Sequence, residues 1–315
     1  MSETFVELED EIRNTVLVEK YRPKRLEDVI LSDESLRGSF EKMIKDKMIP
    51  QNLLFCSRSP GTGKSTLARI ISSSVSKTVL KLNASLDRGI DTIRHDVEKF
   101  CVTQSMYDEI KIIVFEEFDN VTKDAQKALR DLMEDHMDSV RFILTCNYIN
   151  NVIEPIRSRT ALYKFGDVDQ KEILKRLFFI LRTENINFDK KNVAAIVKDH
   201  KSDIRSMIQT IQQLILVDEK GEKHLQEFIP DKELFKLIVK HIHEKDLASC
   251  RKLIGERNMD GQEILKYIFR NMETISPKKW PEVCYEISEG LYRMNSGVDS
   301  EIALVSTLYS IMNAV

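Results

Sequence analysis

One stretch, Ser59-Pro60-Gly61-Thr62-Gly63-Lys64-Ser65-Thr66, constrains this chain more than any other. It follows an apolar run, Leu53 to Phe55, and precedes Leu67, Ile71 and Val75, which recur at helical spacing. Strand, glycine loop, helix is the setting that a phosphate-binding loop requires. Gly61 and Gly63 let the backbone curl so that successive N–H groups face an anion. A helix opening at Lys64 adds the positive end of its dipole. In such a loop Lys64 reaches the β- and γ-phosphates of ATP and the Ser65 hydroxyl sits on Mg²⁺, while Pro60, Thr62 and Thr66 complete the cradle. One position departs from the pattern G-x-x-x-x-G-K-[ST]: Arg58 stands where glycine is usual.

The segment from about Asn52 to Phe165 alternates strand and helix signals. Val79–Leu82, Ile112–Phe115, Phe142–Thr145 and Leu162–Phe165 are short, apolar and rich in branched or aromatic residues, as buried parallel strands are. The expected fold is an α/β module with a parallel sheet. After Gly166 the strand signals stop, and helical stripes follow: Ile173, Leu177 and Ile180, then Val193, Ile196 and Val197, then Ile204, Ile208 and Ile211. Val217 to Pro230 is charged, contains Gly221 and reads as a linker. Asp231 to Val315 is again all helical, with Asp246 as an N-cap and Gly255 as a stop. Three domains follow: 1–166 α/β, 167–229 helical and 230–315 helical.

Other residues suit nucleotide chemistry. The apolar strand Ile112–Phe115 runs into Glu116 and Glu117, and parallel strands deliver functional groups at their carboxyl ends. The first acid orients the metal and its waters, and the second polarises the attacking water. Glu116 is one methylene longer than the usual aspartate. Asn147, after the strand Phe142–Thr145, is placed to hold that water or a γ-phosphate oxygen. Arg159 and Arg205 match two cationic stabilisers of phosphoryl transfer.

A net charge of −3 excludes a wholly basic nucleic-acid coat but not a local basic surface. The five cysteines are scattered with no C-x-x-C pair, so reduced thiols are expected and a zinc site is not. No apolar run is long enough to span a membrane. The acidic Met1–Glu11 lacks a secretory stretch, which points to a cytoplasmic setting.

With these residues in order, the chain resembles one family along nearly its whole length: the ATPase subunits of sliding-clamp loaders in the AAA+ class. It is similar to the small subunits of replication factor C and to the large subunit of the T-even bacteriophage clamp loader. The specific parts lie outside the phosphate loop. Val18-Glu19-Lys20-Tyr21-Arg22-Pro23 resembles the family's N-terminal box. Asn83 to Asp91, with Arg88-Gly89-Ile90-Asp91, resembles a segment after the second strand. Asp124 to Arg130 resembles the helix after the carboxylates, and Ser158-Arg159-Thr160 resembles a Ser-Arg-Cys motif with threonine for cysteine.

The resemblance implies that Tyr21, Arg22, Pro23, Val29 and Ile30 line an adenine pocket. It implies that Arg159 is a finger placed into a neighbour's ATP, Arg205 a sensor in the lid and Gln126 a junction between the nucleotide site and DNA-facing helices. Arg88, Gly89, Ile90 and Thr92 would meet DNA phosphates, and Phe100, Met106 and Tyr107 a sliding clamp. The two helical domains would be a lid, 167–229, and a collar, 230–315, that joins this chain to other subunits in a five-membered ring acting on primer–template DNA. Thr160 and the acidic N-terminus lean toward a bacteriophage version in an infected bacterial cell; a eukaryotic version would be nuclear. Two alternatives share the loop: a scaffold subunit that binds nucleotide without cutting it, which Arg58 and Glu116 favour, and another AAA+ DNA-remodelling ATPase.

Overall fold

In the computed structural model, residues 16–86, 89–105, 110–257 and 259–314 are described. They form two compact units, the first ending at Phe228 and the second beginning at Ile229.

The first unit is built on five parallel strands: β1 (Asn52–Cys56), β2 (Val79–Asn83), β3 (Lys111–Glu116), β4 (Val140–Cys146) and β5 (Thr160–Lys164). Their order is β2-β3-β4-β1-β5. The apolar runs seen in the sequence are therefore real strands, each a residue or two longer or shifted. Helices cover the sheet because an all-parallel sheet must be buried on both faces. Residues of β1, β3 and β4 alternate between two cores. Leu54, Ile113, Phe115, Phe142 and Leu144 pack on one side, and Leu53, Phe55, Ile112, Val114 and Ile143 on the other. The helices α1 (Ser35–Lys45) and α2 (Lys64–Val75) supply the second core with Phe40, Met43, Leu67 and Ile71. The helix α3 (Lys123–Asp135) supplies the first with Ala125, Leu129 and Met133.

Parallel pairing aligns the carboxyl ends. Cys56 of β1 stands opposite Cys146 of β4, and Phe115 of β3 opposite Leu144 of β4. The phosphate loop, the Glu116–Glu117 pair and Asn147 thus leave the sheet along one edge, where open α/β sheets bind ligands.

The helices α4 (Gln170–Thr183), α5 (Lys190–His200) and α6 (Ile204–Gln213) form a third core through Ile173, Leu177, Ile180, Val193, Ile196 and Ile211. Asp169, Asp189 and Asp203 cap their N-termini by accepting backbone N–H groups. Here strands do not stop at Gly166. A small sheet, β6 (Ile186–Asn187), β7 (Ile215–Val217) and β8 (Lys223–Leu225), closes this part in the order β6-β8-β7. The expected linker contains a hairpin instead. The Asp218 carboxylate accepts the N–H groups of Lys220 and Glu222 at 2.9 and 2.8 Å, and Gly221 turns at φ 81°. Strands this short carry no periodicity that a sequence reading can use.

The N-terminal box belongs physically to this third core. Leu17 is buried in it, Val18 and Tyr21 pack against it, and Leu17 N–H donates to Gln212 Oε1 at 2.9 Å. Leu26, Val29 and Leu31, a few residues on, are in the α/β core.

The second unit contains α7 (Asp231–His243), α8 (Leu247–Arg257), α9 (Gly261–Arg270), α10 (Trp280–Asn295) and α11 (Ser300–Ala314) around one core. Asp246 caps α8 through Ser249 N–H at 3.0 Å. Gly255 does not end α8, which continues to Arg257; a lone glycine costs a helix only about 1 kcal/mol. A Cβ on Gly290 would meet Thr307 Oγ1 at 2.3 Å, so α10 and α11 approach too closely there for any side chain. All described cysteines are free. Among the described residues no helix is long and apolar enough to cross a membrane.

Candidate nucleotide site

The site grows from the turn after β1. Gly61 and Gly63 adopt φ of 68° and 90°, the left-handed region that side chains resist. Gly63 caps α2, and Leu67 N–H returns to Gly63 O at 2.8 Å. Arg58 is exposed and is not among the positive-φ residues. The position where the motif usually has glycine therefore needs none in this backbone.

Lys64 is buried, and its Nζ donates to the carbonyls of Ser57 at 3.4 Å and Ser59 at 3.1 Å. Burial lowers its pKa, partly offset by nearby Cys56, Cys146, Asp119 and Asp203. The ammonium thus rests on the loop's own carbonyls, an arrangement that a phosphate, with full negative charge, would outcompete.

Beside this loop lies a cavity lined by Gly61 to Thr66, by Val18, Tyr21, Arg22, Pro23, Val29 and Ile30, and by Ile204, Arg205 and Ile208 of α6. An apolar wall of Val18, Pro23, Val29, Ile30, Ile204 and Ile208 shares the cavity with the phosphate loop, the cations Arg22 and Arg205 and the acids Glu19 and Asp28. That combination suits a nucleoside triphosphate, with its flat base and its charged tail. Pro60 belongs to the loop but not to the lining. Arg205 comes from α6. Arg176 of α4, which the sequence reading passed over, also lines the cavity.

The lid presses on the loop. A Cβ on Gly61 would meet Asp203 Oδ1 at 1.9 Å and Asp203 Cα at 3.1 Å. Glycine is required at position 61 by its φ and by this approach alike.

The carboxylates do not line the cavity. Glu116 ends β3 half-buried, and Asn83 pairs with it across the sheet. Glu117 holds a left-handed φ of 54°, a strained conformation for a residue with a side chain. Its N–H donates to Thr145 Oγ1 at 3.2 Å. Its Oε2 accepts from the Ser85 hydroxyl and from Asn120 Nδ2 at 3.2 Å. The expected base is thus held by Ser85 rather than aimed at the loop. Asn147 and Arg58 line a second cleft, on the β4–β5 side, with Tyr148, Asn151 and Lys164.

A buried carboxylate that no sequence motif marks organises Asn147. Asp119 Oδ2 accepts the N–H groups of Asn147 at 3.1 Å and Tyr148 at 3.0 Å, while Asp119 Oδ1 is buried without a partner. Only an acid three residues beyond Glu116 hinted at it.

Gln126 of α3 is fully buried. Its Nε2 donates to Val121 O and Asn151 O, each at 3.0 Å, and its Oε1 accepts Ile153 N–H at 2.9 Å. It ties α3 to the segment that leads to Arg159. Arg159 is not part of this chain's own cavity lining. It donates to Pro155 O at 2.8 Å and pairs with Glu134 of α3.

Of the residues assigned to DNA, Gly89 caps the short helix Ile90–Thr92; Arg88 and the Thr92 side chain lie outside the described residues. Of those assigned to a clamp, Phe100 packs against the α/β core and lies under Lys111 Nζ at 5.2 Å from its ring centroid; Met106 and Tyr107 lie outside the described residues. Lys111 is buried and donates to the carbonyls of Phe100 at 2.5 Å, Cys101 at 2.9 Å and Thr103.

The residues fit ATP, the loop for phosphates and the apolar wall for the base; for Mg²⁺ the cavity offers the Ser65 hydroxyl, while Glu116, the other expected ligand, does not line it. When bound, the metal would offset phosphate charge.

Comparison with known proteins agrees with this geometry. Residues 54–166 match the family "ATPase family associated with various cellular activities (AAA)". The replication factor C small subunit of Sulfurisphaera tokodaii is 33% identical over 317 residues, covering 96% of this chain and 95% of the relative. That of Methanosphaera stadtmanae is 31% identical, covering 93% and 96%. Among solved structures, a variant of Thermotoga maritima RuvB superposes with a TM-score of 0.56 at 15% identity, over 93% of this chain and 90% of that one. It shares the fold. These relatives of the small-subunit type are archaeal, so the lean toward a bacteriophage version finds no support in them. The chain is an AAA+ ATPase and belongs to the replication factor C small-subunit family.

Proposed function

We propose that this chain is an ATP-hydrolysing subunit of a sliding-clamp loader. In this reading it binds ATP, works with neighbouring subunits to open a ring-shaped clamp on primer–template DNA, and hydrolyses ATP to release it. The observation that carries the reading is the cavity itself: phosphate loop, N-terminal box and lid Arg205 converge on one space.

Two features support control from outside the site. Arg159 is absent from its own chain's cavity lining and stands on an exposed loop before β5, where a neighbour's nucleotide can receive it. A transition-state arginine supplied in trans makes cleavage depend on subunit packing. Glu117 is held by Ser85, which lies four residues before Gly89 in the segment assigned to DNA. A duplex phosphate drawn to that segment would bear on the Ser85–Glu117 bond and so on the base that activates water. Exposed Tyr285 and Tyr292 on α10 and Ile302 and Tyr309 on α11 recur at seven-residue spacing, which suits a collar that joins subunits. The lid, 167–229, and the collar, 230–315, act in this reading as a sensor and as an assembly domain.

The test is the steady-state ATPase rate of the complex purified through a tagged copy of this chain, with and without primer–template DNA. DNA should stimulate the rate. Arg159→Ala should remove at least about a hundred-fold of it while leaving ATP affinity of the isolated chain unchanged. Stimulation that survives Arg159→Ala would refute action in trans, and a rate indifferent to DNA would refute the clamp-loading reading.

A further inference from the structure

The geometry points to Arg176 as the residue that positions the base-binding segment Tyr21–Pro23. This rests on the cavity being the ATP site and assigns a residue to its base side.

The lid grips Tyr21 at three points. Arg176 Nη2 donates to Tyr21 O at 2.9 Å. The Tyr21 hydroxyl donates to Glu184 Oε1 at 2.5 Å, and Lys20 Nζ pairs with the same oxygen at 2.6 Å. The Tyr21 ring meets the Phe179 ring edge-on, with centroids 6.4 Å apart. Of the residues that supply these grips, only Arg176 also lines the cavity. Its guanidinium lies 5.7 Å from the Phe179 centroid, so packing fixes it before any ligand arrives.

A held carbonyl matters more here than in an ordinary loop. Tyr21 is followed by Arg22, whose backbone is restricted because Pro23 comes next, and Pro23 has a fixed φ. Pinning one peptide plane therefore pins the next two residues, and these border the cavity beside the apolar Val29 and Ile30. Arg176 sets that border against the base, while the phosphate loop is built on α2 and β1 without it.

The test is nucleotide binding by the full chain, read with a fluorescent ATP analogue and competition by ATP, ADP and inorganic tripolyphosphate. Arg176→Met keeps the apolar stem on Phe179 and removes the donor. It should weaken ATP and ADP equally, by about ten-fold, the scale of one lost charge-assisted hydrogen bond. Tripolyphosphate, which has no base, should compete as well as with the wild-type chain. Arg176→Lys, which retains a donor, should recover most of the loss. Unchanged ATP and ADP affinity would overturn the inference. Tripolyphosphate binding weakened to the same extent would overturn it too, by assigning Arg176 to the phosphates. A wild-type chain that binds neither ATP nor tripolyphosphate would instead bring down the reading of the cavity.

Discussion

Replacing Gln126 by leucine isolates one hydrogen-bonded side chain at nearly constant volume. Gln126 is fully buried and serves three backbone groups: Val121 O, Asn151 O and Ile153 N–H. Leucine fills the space and serves none. A stranded buried polar group costs about 1–3 kcal/mol, and a carbonyl tolerates the loss better than an N–H. The three together should cost about 4 kcal/mol. For a unit of this size each kcal/mol moves the melting temperature by about 2–4 °C, so the first unit should melt about 8–16 °C lower. The second unit has a core of its own and provides an internal control. Scanning calorimetry of the full chain should show one transition shifted and one fixed. Gln126→Glu sharpens the test, because a carboxylate there accepts from Ile153 but faces two carbonyls; it should be at least as damaging as leucine. A shift below about 2 °C for Gln126→Leu, or equal shifts of both transitions, would refute the reasoning. If the junction also carries coupling, DNA stimulation of the ATPase should fall in a variant assayed well below its melting temperature.

Glu134→Gln should free Arg159 from its ion pair and raise the DNA-independent ATPase of the complex about two- to five-fold, the range in which a half-exposed pair acts; an Arg159→Ala background should abolish the gain. Burial pushes the Cys101 and Cys250 thiols up to about 11, whereas Cys284 is only half-buried, so iodoacetamide at neutral pH should label Cys284 before either of them in the folded chain. Mass spectrometry of the labelled peptides checks this. Tyr21 is pushed up to about 12 by burial and by the Glu184 carboxylate. Its neutral form is favoured in the folded state, so its contribution to stability is complete below pH 10 and is lost as pH rises from 10 to about 12. Burial raises Tyr163 as well, so ultraviolet titration should show both tyrosinates appearing late, and Glu184→Gln should bring only that of Tyr21 forward.

Much of the nucleotide site was legible because its parts are local. A phosphate loop is a strand end, two glycines and a helix start, all within a few residues, and the carboxylates follow an uninterrupted apolar strand. Arg205 could be named because it stands at a helix start and because the family resemblance assigns a sensor there. What escaped was long-range. Arg176 lies on a helix face whose partner is 155 residues away in the chain, and no spacing rule connects them. Asp119 acts through the backbone of Asn147 and Tyr148, which carries no side-chain signature. The capture of Glu117 by Ser85 depends on β2 and β3 being neighbours, a fact of strand order rather than of either segment. The hairpin after Val217 was hidden because charge and glycine mark a turn and a linker equally well. At Gly255 the helix simply absorbs a cost too small to stop it.

That the N-terminal box packs into the lid core has a mechanical consequence. The chain crosses between the α/β layer and the lid twice, once between Tyr21 and Leu26 and again between Phe165 and Val168. A part hung from one strand can swing in any direction; a part hung from two behaves as a door, with an axis through both attachments. Any movement of the lid would then be a rotation about the line joining these crossings, and Tyr21 and Arg205 would travel on the same leaf. Base and γ-phosphate would be felt by one rigid piece. A truncation that trimmed the first two dozen residues as a dispensable tail would remove a hinge and part of the leaf together.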